Sequence, residues 1–219
     1  MFSYYGSKSK IINKYPDPSY DTIIEPFAGS ARYAFKFFDR DIILIEKYEK
    51  VYKIWEYLQS ASKSDILSLP DIEPQTVLAE INGYTQLADV EKYLIGFCVN
   101  RGSRNTPKTV SGKFCNWNTD KLKIAKNLYK IKHWNIIHGD YRVIENKRAT
   151  WFIDPPYEIK GKIYPEKIKD YKFLGKWCKS RLGQVIVCEN YGANWLDFEY
   201  LTDTHGQHRK SKEVVWYSE

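Results

Sequence analysis

Short apolar runs recur along the chain, and each stops on an acid or on small residues. Thr22-Ile23-Ile24 runs into Glu25 and Pro26, Ile42 to Ile45 into Glu46, and Ile136-Ile137 into Gly139-Asp140. Trp151 to Ile153 ends on Asp154, and Val185 to Val187 on Cys188-Glu189. None of them alternates apolar with polar. Continuous, β-branched-rich runs of this length predict strands buried on both faces, as in a parallel sheet covered by helices. Helical segments are predicted between them at 31–38, 47–58, 120–131 and 171–182. Alternating strand and helix predicts an α/β sheet. Ligands of such sheets sit at the carboxyl ends of the strands, and that placement gathers Glu25, Glu46, Asp140 and Asp154 along one rim. One acid there is an ordinary polar strand end; four make a candidate site.

Residues 60–118 break the rhythm. They hold polar connectors, a helix expected near 90–99, and then "NRGSRNTPKTVSGKFCNWN". In that last piece Arg101, Arg104, Lys108 and Lys113 are interleaved with Phe114 and Trp117. Such cations suit phosphate contact, and Arg and Asn suit base edges. A solvated surface loop accounts for the same residues equally well from this stretch alone.

Composition narrows the picture only partly. Of 219 residues 43% are hydrophobic, enough for a sizeable core. The formal charge of +7 favours a polyanionic partner such as nucleic acid. The 18 tyrosines and 7 tryptophans could stack on bases, although core packing explains most aromatics in any protein. The four cysteines, Cys98, Cys115, Cys178 and Cys188, form no CxxC pair and read as free thiols of a reducing compartment. His205 and His208 form an isolated HxxH without acidic or cysteine partners, so no metal is expected. Lys8 and Lys10 precede no long apolar stretch, so no signal peptide is expected, and no run approaches a membrane span. The expectation is a monomeric, soluble, cytoplasmic protein with no membrane association.

Two motifs carry chemistry. "EPFAGSARYAF" puts small residues directly after a strand and before a helix, where a cofactor can approach the backbone and an anionic group can meet free N–H groups. It is not the dinucleotide fingerprint, because GxGxxG is absent. Glu46, ending the next strand, is placed as an acceptor for ribose hydroxyls. "DPPY", Asp154-Pro155-Pro156-Tyr157, is sharper. An amine on an aromatic ring is a poor nucleophile because its lone pair is delocalised. A carboxylate and a neighbouring carbonyl can accept its hydrogens and favour the charge that develops on attack. The prolines fix φ and remove competing N–H donors, and the tyrosine offers a surface for an extruded base. The bland alternative is a strand end followed by a proline turn.

On these residues the chain resembles the Dam-type adenine-N6 DNA methyltransferases, which use S-adenosylmethionine. The likeness runs nearly end to end. "YYGSKSKI" is similar to the family's aromatic-x-Gly-Gly-Lys element, with Ser7 where the second Gly usually stands. That match implies that Tyr4, Gly6, Ser7 and Lys8 help hold the methyl donor. "EPFAGSARYAF" resembles the family's donor-binding turn, implying cofactor contacts for Glu25, Phe27, Ala28, Gly29 and Ser30. It departs at Ala31, where a second Gly is typical, so the turn is expected to follow a slightly different path. Glu46 matches the residue that binds the donor's ribose, and Asp140 and Tyr141 fall where the donor's adenine is contacted. "FCVNRGSRN" and "GKFCNW" are similar to an Asn-Arg-rich, DNA-contacting segment. With the terminal "RKSKEVVWY", which resembles the family's last strand, the implied DNA contacts are Lys8, Arg101, Arg104, Asn105, Lys113, Asn116, Arg209 and Lys210. "DPPY" matches the catalytic motif without departure, making Asp154, Pro155, Pro156 and Tyr157 the catalytic set, with Asp154 also beside the cofactor.

The resemblance implies a Rossmann-like methyltransferase sheet with helices on both faces and a small, mostly helical recognition insertion. Its bounds would be 1–58 and 119–219 for the catalytic domain and 59–118 for the insertion. The implied activity is site-specific transfer of a methyl group from S-adenosylmethionine to adenine N6 in duplex DNA, in a bacterial or phage-infected cell. Several relatives carry a longer recognition lobe before the catalytic strand, so their target sequence does not carry over. RNA adenine, cytosine N4 or protein glutamine as target remain open. So does a DNA-binding protein that keeps the fold without catalysis.

Overall fold

The computed structural model describes residues 1–2, 4, 6–72, 86–99, 117–159, 161, 164–205 and 210–219, with His205 and Lys210 described by backbone alone. The strands are β1 (Thr22–Glu25), β2 (Asp41–Glu46), β3 (Asn135–His138), β4 (Ala149–Ile153), β5 (Gly183–Asn190), β6 (Glu199–His205) and β7 (Lys210–Ser218). The helices are α1 (Arg32–Lys36), α2 (Glu49–Ser60), α3 (Lys63–Ser68), α4 (Asp89–Val99), α5 (Trp117–Asn127) and α6 (Tyr171–Lys179). Packing groups the chain into two units: Met1–Ser7 with Glu49–His133, and Lys8–Tyr48 with Trp134–Glu219.

The second unit is a mixed α/β body built on one seven-stranded sheet in the order β3-β2-β1-β4-β5-β7-β6. Strands β1 to β5 run parallel, and β7 inserts antiparallel between β5 and β6. The apolar runs explain this arrangement, because every residue of β4 and all but the first of β5 are buried. β3 differs from the fully buried strand its sequence predicts: lying at the sheet edge, it is only half-covered.

Side chains alternate across a strand, so β4 shows which helix covers which face. Trp151 meets Trp177 of α6 edge-on, ring centroids 5.7 Å apart, within a cluster that holds Ile24, Ile45, Ile153 and Val187. Its neighbour Phe152 faces the other way and stacks on Tyr33 of α1 at 4.3 Å. α1 and α6 therefore cover opposite faces. The strand order reverses between β1 and β4, which opens a crevice at their carboxyl ends.

The first unit is helical among its described residues. α2 buries Val51, Ile54, Trp55 and Leu58, the spacing of one helix face, and Phe2 meets Trp55 edge-on at 5.1 Å. α3 starts with a capping box in which Ser62 and Asp65 satisfy each other's backbone N–H groups. Lys121 of α5 is buried, with Nζ donating to the Leu69 carbonyl at 2.9 Å and to Asp71 at 2.5 Å.

Candidate functional site

The carboxyl ends of β1, β2 and β4 supply the centre of the site. Glu25, the last residue of β1, is buried, and its Oε1 accepts the Ala34 N–H of α1 at 2.5 Å. Burial pushes its carboxyl up to about 8, with the charge of Asp154 adding and the Ala34 N–H opposing. Between strand and helix the chain turns through Gly29 (φ 46°) and Ala31 (φ 44°, ψ 52°), both left-handed. The Gly29 N–H donates to Oε2 of Glu46 at 2.9 Å, and the Tyr48 N–H to Oε1 at 2.8 Å. Burial raises the Glu46 carboxyl to about 7 against these N–H groups. An ionised carboxylate offers about four lone-pair sites, so Glu46 clamps the small-residue turn and keeps acceptor capacity.

Asp140 follows β3 and caps the turn Tyr141–Val143. Its Oδ1 takes Arg142 Nε at 2.6 Å, and Oδ2 lies 3.5 Å from Lys47 Nζ. Burial pulls its carboxyl upward, but Arg142 and Lys47 hold it below the usual carboxylate range. Tyr141 is buried, with Phe27 at 5.2 Å on one side and Trp177 at 4.9 Å on another.

Asp154 follows the last residue of β4, with a side chain 22% exposed. Lys8 Nζ lies 2.8 Å from its Oδ1 and 3.5 Å from Oε1 of Glu213 on β7. Burial pushes the Asp154 carboxyl up, Lys8 pulls it down and Glu213 raises it again. For Lys8 burial opposes the charge, but Asp154 and Glu213 win and keep it an ammonium. The same Nζ sits 4.6 Å from the centroid of the Tyr157 ring, covering one of its faces. The Tyr157 hydroxyl donates to Glu213, as does Tyr15 at 2.8 Å.

The proline turn is held from three directions. The Tyr171 hydroxyl donates to the Pro156 carbonyl at 2.6 Å, the Gly161 N–H to the Tyr157 carbonyl at 2.5 Å, and the Glu158 N–H to Glu189 at 3.1 Å. A Cβ at Gly161 would lie 2.6 Å from the carbonyl carbon of Pro156, so only glycine allows this approach. Pro155 is buried, whereas Asp154, Pro156 and Tyr157 are half-buried.

Of the residues expected from sequence, Lys8, Glu25, Phe27, Ala28, Gly29, Ser30, Glu46, Asp140, Tyr141 and Asp154 to Tyr157 belong to the sheet unit. Tyr4, Gly6 and Ser7 belong to the helical unit, where Tyr4 is buried with its ring 5.6 Å from Phe97. Arg101, Arg104, Asn105, Lys113, Asn116, Cys115, His208 and Arg209 lie outside the described residues, as does the side chain of Lys210. Cys98, Cys178 and Cys188 are buried. Among the described residues no helix is long and apolar enough to cross a membrane.

Among the participants that no sequence motif marks are Glu189, Glu213 and Tyr15. Glu189 is fully buried near the end of β5 and accepts from Asn190 N–H, Glu158 N–H and Trp195 Nε1. Its signal was present, since "VIVCEN" ends on an acid like the other runs. Glu213 and Tyr15 gave none, because a lone acid in a terminal strand and a tyrosine in a loop have no pattern.

No family model matches the chain, and no curated protein does. Among solved structures, a conserved hypothetical protein from Streptococcus pyogenes is 13% identical with a TM-score of 0.38, covering 90% of this chain and 86% of its own. A protein described as a candidate methyltransferase, yhhF from Escherichia coli, is 10% identical with a TM-score of 0.36, covering 95% of this chain and 78% of its own. At such scores the fold of this chain stands on its own strand order and site geometry.

Proposed function

We propose that the chain is a site-specific DNA methyltransferase that transfers a methyl group from S-adenosylmethionine to N6 of an adenine flipped out of duplex DNA. One observation carries the reading. At the end of β4 a partly exposed carboxylate, Asp154, and the Tyr157 ring are held together through Lys8 and Glu213, on the strand next to β1, whose following turn Glu46 clamps.

The residues of that turn fit a nucleoside-bearing donor. Ala28, Gly29 and Ser30 bring backbone within reach of a ligand, and Glu46 retains lone pairs for ribose hydroxyls. Glu25, Phe27, Asp140 and Tyr141 complete the set that would hold it, with Tyr4, Gly6, Ser7 and Lys8 added by the resemblance. When bound, S-adenosylmethionine would supply a methyl group made electrophilic by its sulfonium, its C–S bond breaking as the N–C bond forms and S-adenosylhomocysteine leaving with the electron pair on sulfur.

The chain's own work is then positioning and electrostatics. Asp154 accepts one N6 hydrogen and takes it as a proton when the N–C bond forms. The Pro155 carbonyl accepts the other hydrogen and keeps the amine oriented. Tyr157 stacks on the extruded ring with the face opposite Lys8. No covalent enzyme intermediate forms. The formal charge of +7 supports a polyanionic partner. By resemblance, Arg101, Arg104, Asn105, Lys113, Asn116, Arg209 and Lys210 supply its contacts.

The test incubates the protein with mixed duplex DNA and labelled donor and maps N6-methyladenine by sequencing. Asp154→Ala is expected to abolish the product, and undiminished transfer by that variant sinks the assignment. Label found in RNA, or as N4-methylcytosine, redirects the target. Absence of S-adenosylmethionine binding by calorimetry turns the reading to a DNA-binding protein without catalysis.

A further inference from the structure

Glu213 stands on β7, far in sequence from the proline turn, and is 4% exposed. Its Oε1 accepts from Tyr15 at 2.8 Å and from the Tyr157 hydroxyl, and lies 3.5 Å from Lys8 Nζ. That ammonium is also the partner of Asp154 at 2.8 Å. One buried carboxylate thus reaches both the acceptor and the ring of the motif.

Two carboxylates beside one ammonium, one of them buried and the other mostly so, are costly. The following residues of β7, Val214 and Val215, are apolar and buried, so the strand itself has no need of an acid. We propose that Glu213 is a positioning residue for the methyl acceptor: it fixes the Tyr157 ring through its hydroxyl and shares Lys8 with Asp154. The inference rests on the amine-methyltransferase reading. Without the Glu213 charge, Lys8 belongs to Asp154 alone, and the stronger pair weakens that carboxylate as an acceptor for the target amine.

The groups facing Asp154 come from every side: Lys8 and Tyr15 from the N-terminal segment, Glu25 from β1, Cys188 from β5, Glu213 from β7 and Tyr157 from its own turn. Glu213 raises the Asp154 carboxyl, so removing its charge lowers the pH at which Asp154 becomes ionised.

Glu213→Gln keeps a side-chain oxygen for the two hydroxyls and removes the charge. Methyl transfer by the full chain is measured with radiolabelled S-adenosylmethionine on sheared unmethylated genomic DNA across pH 5 to 9. The expected result is a loss of about tenfold in kcat, the scale of one charge-assisted contact, with KM for the donor within about twofold. The acid limb of kcat moves to lower pH, which a purely structural role would not do. Tyr157→Phe, which keeps the ring but not the hydroxyl, loses a similar factor. The double variant loses clearly less than the product of the two single losses, because both act through one network.

Wild-type kcat and an unmoved acid limb in Glu213→Gln overturn the inference, as do fully multiplicative losses. Should Glu213→Gln not fold by circular dichroism, Tyr157→Phe decides alone, and wild-type kcat in it is the overturning result. A wild-type chain that methylates no DNA ends the methyltransferase reading and this inference with it. An active wild type with an indifferent Glu213→Gln ends the inference only.

Discussion

At position 31 the chain holds a buried alanine in the left-handed region, at φ 44° and ψ 52°, immediately before α1. A side chain there costs about 1–2 kcal/mol relative to glycine. The sequence marked this residue as a departure, an alanine where the resembled turn has glycine, and suggested an altered path. The backbone there takes a conformation that favours glycine, and the Ala31 N–H closes the turn onto the Ala28 carbonyl at 2.7 Å. Ala31→Gly relieves the strain but gives up a buried methyl, about 0.8 kcal/mol, and frees the unfolded chain by about 0.5–1 kcal/mol. These terms nearly cancel, so its stability should stay within about 1 kcal/mol of wild type. Ala31→Val adds a β-branch at positive φ in a packed site and should cost at least about 2 kcal/mol. Urea midpoints at unchanged slope measure both; equal midpoints for Val and Gly would mean that position 31 is not left-handed.

The elements differ in how openly the sequence announces them. Five strands show as apolar runs because both of their faces are covered, and their burial bears this out except at the edge strand β3. β6, "EYLTDTH", went unread: an edge strand paired only with β7 needs few apolar residues, and Leu201 is its only aliphatic one. α3 was passed over as polar connector although "SKSD" carries the capping-box spacing. The helix expected at 31–38 is only Arg32–Lys36, because Ala31 leaves helical geometry at its start and Phe37, at ψ 44°, at its end. The proline turn was legible as a motif, but not what holds it, since Tyr171 and Glu189 reach it from elsewhere in the chain and Gly161 belongs to no motif. Gly161→Ala tests that support. The added methyl pushes on the Pro156 backbone, whose carbonyl Tyr171 keeps in place. A shift of about 1 Å at the acceptors should lower kcat on the order of a hundredfold, while donor affinity, set by other strands, stays near wild type. Unchanged transfer would show that the turn tolerates the displacement.

At the scale of the molecule, strand order decides which residues meet. β1 lies between β2 and β4, so the acids that end these three neighbouring strands stand side by side although some 130 residues separate Glu25 from Asp154. That gathering was readable from strand ends alone, because a parallel sheet sends all of its carboxyl ends to one edge. The contribution of β7 was not, since an antiparallel insertion returns Glu213 to the same edge from the chain's far end. The arrangement predicts linkage between donor and fold. A ligand that binds only the folded state stabilises it by about 2.7 kcal/mol at a hundred times its dissociation constant. S-adenosylmethionine at that excess should therefore raise the melting temperature measurably, with no DNA present. Glu46→Ala removes the acceptor proposed for the ribose and leaves the Gly29 and Tyr48 N–H groups without their carboxylate. Losing charged hydrogen bonds of this kind costs about 1.5–3 kcal/mol, so donor affinity should fall by at least tenfold and the thermal shift at the same donor concentration should shrink. Asp154→Ala, which leaves that clamp intact, should keep most of the shift while abolishing transfer. Equal shifts in wild type and Glu46→Ala would remove Glu46 from the donor site; no shift in any of the three would leave the turn after β1 without a nucleoside to hold.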